Sequence, residues 1–64
     1  MSPKLQALMH DWKTLTKGLA ACTETEVLEM LEAEKSGRRR QGHLVRLHQR
    51  YTALRTARER MEFI

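Results

Sequence analysis

The sequence predicts an all-α protein of three helices, built on an antiparallel helical hairpin with a long basic C-terminal helix. Three observations predict it. Apolar residues recur at steps of three and four through most of the 64 residues, the spacing of one helix face. No stretch alternates β-branched and polar residues as a half-buried strand would. The only proline is Pro3, where a helix can start, and Gly37 stands where one can stop.

Helix one is expected over about 3–20. Ser2 suits the N-cap and Pro3 the first helical position, where a missing N–H loses nothing. Leu5, Leu8, Met9, Trp12, Leu15 and Leu19 then fall in one stripe roughly 100° wide, with His10, Lys13 and Lys17 off it. Helix two is expected over 23–36. Thr23-Glu24-Thr25-Glu26 fits a capping box, Val27, Leu28, Met30 and Leu31 give the apolar face, and Gly37 is the expected left-handed cap. Helix three is expected over about 40–62. Leu44, Leu47, Tyr51, Leu54 and Met61 occupy heptad a and d positions, with Arg58 at the a position between the last two. Helix three is roughly 30 Å long and helix two roughly 20 Å. Counting across the turn sets Leu31 opposite Leu47 and brings Glu24 or Glu26 near Arg55. The last two turns of helix three are then uncovered by helix two.

A chain of 64 residues is one domain, 1–64, and 41% hydrophobic with 31% charged residues places it among folded rather than disordered chains. A domain of this size buries only about 60% of its unfolded surface, so a homo-oligomer is expected. Leu54, Arg58 and Met61, on the uncovered part of helix three, are the expected contact. The single cysteine, Cys22, can form neither an internal disulfide nor a Cys-pair zinc site, which suits a reducing, cytoplasmic compartment. The first 13 residues hold no continuous apolar run of the kind a signal peptide needs, and the longest run, Leu19–Cys22, is far short of a membrane span.

The formal net charge of +4 is unevenly spread. Residues 1–34 carry three lysines against six carboxylates, whereas residues 35–60 carry Lys35 and eight arginines against Glu59 alone. Arg38-Arg39-Arg40 opens two readings. The three can hold phosphate, since arginine forks match phosphate oxygens and the start of helix three adds N–H donors. They can equally be a solvated turn, with Glu34 pairing to Arg38 at i, i+4. Arg46, Arg50 and Arg60 project to the polar face of helix three, which could follow a groove or a backbone. Arg58, in an apolar seam, needs a carbonyl near Leu19–Cys22 or a carboxylate on another chain. Trp12 and Tyr51 are expected in the core. Trp12 is also a candidate partner contact, together with Phe63 and Ile64, which are either frayed or a hydrophobic anchor.

Catalysis finds little support. His10, His43 and His48 share no metal-ligand spacing, Cys22 has no activating neighbour, and no phosphate-cradling glycine loop or serine nucleophile motif is present. No catalytic residue, metal site or cofactor is expected.

The segments TETEVLEMLEAEKSGRRR and LVRLHQRYTALRTARERMEF together resemble a group of small helical proteins of tailed bacteriophages, with an EVLxxLEAE helix, a short basic turn and an RLHQRYxxLRxxRER helix. The resemblance covers residues 23–63. It implies an intracellular phage product acting on host machinery or phage DNA, and it carries over no functional residues. The residues themselves point to a protein that acts by binding. Nucleic acid is the first candidate partner, and an acidic host protein that it would modulate or inhibit is the second.

Overall fold

The computed structural model describes residues 2–63, and among these it is all-α with no strand. Four α-helices run α1 Pro3–Leu8, α2 Trp12–Gly18, α3 Glu24–Ser36 and α4 Gln41–Glu62, with a 3-10 turn at Leu19–Ala21. Helices α3 and α4 match the expected second and third helices within one residue at each end.

The expected first helix is in fact two. Helix α1 stops at Met9, and Asp11, in extended backbone at φ −146°, caps a fresh helix by accepting the Thr14 N–H at 2.7 Å. The break folds α2 back toward α1 until Leu8 lies against the backbone of Gly18. A β-carbon there would overlap the Leu8 side chain, which would have to shift to admit any other residue. The break also turns Trp12 away from the core. It is 48% exposed and leans edge-on over the His43 ring, with centroids 6.0 Å apart. The expectation of a buried Trp12 is thereby corrected.

Both predicted caps are present. The Ser2 hydroxyl accepts the Leu5 N–H. Thr23 and Glu26 exchange bonds of 3.2 and 2.9 Å as a complete capping box, and the Glu26 carboxylate also takes the Lys4 ammonium at 3.3 Å.

The turn between α3 and α4 reverses differently from the prediction. Gly37 has φ −109°, and the left-handed residue is Arg39, at φ 52°. The Arg39 N–H returns to the Glu34 carbonyl at 2.9 Å and closes the end of α3.

Leu5, Met9, Leu15, Leu19, Cys22, Val27, Met30, Leu31 and Leu47 form the core, with Leu8, Leu44, Tyr51 and Leu54 packed at its margin. Leu47 is the one apolar residue of α4 that is fully buried. Most of the tertiary contact lies between α3 and α4. The 22 residues of α4 span about 33 Å, and the molecule is 38 Å long and 19 Å across. The C-terminal end of α4 accordingly runs past the core, and Met61 and Phe63 stand 71% and 88% exposed. Ile64, the second half of the expected hydrophobic anchor, lies outside the described residues.

Candidate functional site

The three consecutive arginines part company. Arg40 turns inward and grips Glu34, whose side chain is only 2% exposed. Its backbone N–H and Nε donate to Glu34 Oε2 at 2.8 and 3.0 Å, and its Nη2 donates to Oε1 at 2.9 Å. The same guanidinium donates to the Met9 carbonyl at 2.8 Å and the His10 carbonyl at 3.5 Å. Those carbonyls lie at the C-terminal end of α1, where helix carbonyls have no partner of their own. One side chain thus ties α1 to the junction of α3 and α4. The forked, charged bonds to Arg40 hold the Glu34 carboxyl below its usual range against the opposing effect of burial.

This geometry corrects two expectations. Arg40 is committed inside the protein and is not a free phosphate contact. Glu34 pairs with Arg40, six positions on, rather than with Arg38. Arg38 and Arg39 remain exposed at the turn with Lys35, and among the described residues the Arg39 guanidinium bonds the Lys35 carbonyl alone, at 3.1 Å.

The arginines of α4 are also partly committed. Arg58 donates to Glu24 Oε2 and to Glu62 Oε1, both at 2.8 Å. The expected carbonyl or second-chain partner is replaced by a carboxylate at the start of α3, which reaches farther along α4 than the counted register allowed. Arg55, expected near Glu24 or Glu26, pairs instead with Glu59 at 2.7 Å. Arg50 reaches back over the core to the Ala20 carbonyl at 3.4 Å, and its buried Nε has no partner among the described residues. It is therefore not a free cation of the polar face. Arg46 is half-buried on the same flank of α4, and Arg60 is exposed near its far end. Of the expected oligomer contact, Leu54 is packed at the core margin and Arg58 is paired within the chain.

His43 is 5% exposed, and its Nε2 has no partner among the described residues. Burial, then the nearby Arg40 charge, push its pKa below 6.5, while Glu34 and Asp11 oppose the shift. Cys22 is buried, donates to the Gly18 carbonyl, and is pushed up by burial, the opposite of an activated thiol. Among the described residues no group of His, Cys, Asp and Glu could hold a metal ion, and no helix is long and apolar enough to cross a membrane.

Two concavities of about 340 Å³ are present among the described residues: one beside the Arg40 clamp, lined by Met9, His10, Glu34 and Arg38, and a more apolar groove between α3 and α4. Leu31, Leu44 and Val45 form its apolar wall, and Lys35, Arg39 and His48 complete it. Among the described residues no carboxylate lines it. At about 100° per residue, Leu44 and His48 lie on the flank of α4 opposite Arg46 and Arg50. The sequence reading missed this groove. Its signal was the pairing of an apolar residue with a basic one at i, i+4, Leu31 with Lys35 and Leu44 with His48.

Fold and surface together define a small all-α protein with one buried ionic clamp and one apolar groove edged by basic residues. The chain matches no family model, no curated protein and no solved structure.

Proposed function

We propose that this protein is a non-catalytic binding protein that attaches to an acidic surface of another protein through the end of the molecule carrying Lys35, Arg38 and Arg39. The observation that supports it is the division of labour in the arginine run. One arginine is consumed by Glu34; the other two stand exposed and, among the described residues, make no ion pair, and Arg39 borders the apolar surface of the groove. A phosphate backbone is bound chiefly by charge and has no use for Val45, which is 49% exposed. Arg46 and Arg50 lie on the other flank of α4, and Arg55, which shares the flank of Leu44 and His48, is paired with Glu59, so they do not extend the basic turn into a single row of free cations. The resemblance to phage proteins makes a bacterial lysate the natural source of the partner.

The test is capture of partners from that lysate by immobilised protein, with and without nuclease, beside a salt titration on one labelled duplex. A protein retained after nuclease, and lost with Arg38→Ala plus Arg39→Ala, is the expected result. Capture abolished by nuclease, with duplex affinity falling by a log–log salt slope of about 0.9 per contact, would move the reading to a nucleic-acid accessory protein.

Self-association belongs to the same proposal, through the exposed Met61 and Phe63 rather than through the committed Arg58. Sedimentation equilibrium should show a dimer or larger species that Phe63→Lys returns to 7.5 kDa. A wild-type monomer at high micromolar concentration would remove it.

A further inference from the structure

We propose that the groove between α3 and α4 is the seat of an acidic amphipathic helix belonging to the partner protein. This rests on the reading above and names the chemistry of what is bound. The groove sorts its lining into two kinds. Leu31, Leu44 and Val45 offer apolar surface, and Lys35, Arg39 and His48 offer nitrogen donors around it. The complement is a segment with apolar side chains on one stripe and carboxylates along its margins. A helix provides both at once, because residues at i, i+3, i+4 and i+7 share a face.

The charge arrangement argues for that occupant. Among the described residues Lys35 and Arg39 make no ion pair, while five of the eight acidic side chains, Glu24, Glu26, Glu34, Glu59 and Glu62, are each engaged with a basic one elsewhere. The rim cations are therefore left for a partner's carboxylates. Val45 at 49% exposure is a β-branched side chain held in water on a helix otherwise polar on that side, and covering it releases apolar surface from water. At about 340 Å³ the groove lies at the small end of the range for ligand sites, roughly 300–1,000 Å³, and it opens to solvent.

The probe is a fluorescein-labelled helical peptide of about four turns, with leucines at i, i+4 and i+7 and glutamates beside them. It is compared with the same peptide carrying alanines for the leucines, and with a labelled duplex. Fluorescence anisotropy should show the Leu/Glu peptide bound and weakened by salt, with the alanine peptide at least about tenfold weaker. Val45→Glu, on an exposed helical position that tolerates a polar residue, should weaken the Leu/Glu peptide at least about tenfold while the helical circular dichroism is unchanged. Lys35→Glu should do the same, and Arg60→Ala, remote from the groove, should do nothing.

Equal binding of the leucine and alanine peptides would overturn the groove and leave the basic-end reading standing, since charge alone would then explain attachment. Wild-type affinity in Val45→Glu would overturn it too. So would a duplex that binds more tightly than the peptide and is released by Val45→Glu, or a wild-type oligomer that Val45→Glu dissociates, which would make a second copy the occupant. Failure of both peptides to bind removes the groove inference, and lysate capture with the Arg38 and Arg39 variants then decides the basic-end reading separately.

Discussion

Two arginine–glutamate contacts stitch α3 to α4, one at each end, and they share a chemistry but not a consequence. Arg40 meets a Glu34 that is 2% exposed, through three bonds, and extends two more to carbonyls of another helix. Arg58 divides itself between Glu24 and Glu62 with its side chain half in water. Water competes for the second pair and screens it. The Glu34 carboxylate has little water to return to, so losing Arg40 strands it, although Arg40 itself is partly exposed. Burial, and not the number of opposite charges, decides which pair holds the fold.

The largest expected effect follows from removing the inner guanidinium. Arg40→Ala leaves a buried carboxylate without its cation and frees two carbonyls of α1, which should destabilise the protein by about 3 kcal/mol, measured by urea denaturation. That is much of the stability of a domain this small, since about 0.1 kcal/mol per residue is typical. Arg40→Lys keeps the charge but loses the planar fork, so its midpoint should fall between wild type and Arg40→Ala. A wild-type midpoint for Arg40→Ala would mean that the two ends are equivalent after all.

Acid should separate the two ends next. Because the folded Glu34 pKa is depressed below 4.5, the unfolded chain binds its proton first as pH falls. The stabilisation is therefore complete above about 4.5 and is lost as pH drops through the lower folded value. His43 adds a second window. Its folded pKa lies below 6.5, so unfolding takes up a proton there, and stability should begin to decline as pH falls through 6.5. Glu34→Gln should flatten the lower window, and His43→Gln the upper, in denaturation midpoints taken across pH.

A smaller effect, of opposite sign, is expected at the turn. Arg39 holds φ 52° at some strain, so Arg39→Gly should raise stability by roughly 0.5 kcal/mol, the relief of strain being partly offset by the freer unfolded chain. The smallest is Arg58→Ala, which should leave the urea midpoint within error at moderate salt.

The helical class, both caps and the limits of α3 and α4 were legible because they depend on neighbours a few positions apart. The break in the first helix was not, although Asp11 is a good capping residue. The apolar spacing from Leu5 to Leu19 continues through the break, so periodicity alone reports one helix where there are two. Nor could the spacing choose among Arg38, Arg39 and Arg40. That choice is made by a backbone angle at Arg39, which no side-chain pattern encodes. The partner of Arg58 was missed by about one helical turn of register, enough to exchange Glu24 for another chain. The groove was missed for a plainer reason. Its residues come from both helices, and only packing brings Lys35 and Arg39 beside Leu44, Val45 and His48.

The Arg40 clamp also bears on the order in which the chain assembles. Its bond to Glu34 spans 6 positions, whereas its bonds to His10 and Met9 span 30 and 31. Closing a longer loop is entropically harder, and contacts between distant positions slow folding. Loop closure therefore favours the Glu34 bond within the α3–turn–α4 unit over the bonds to the end of α1. A nucleus formed within residues 24–62 thus carries, in its unused N–H groups, the landing point for the rest of the protein.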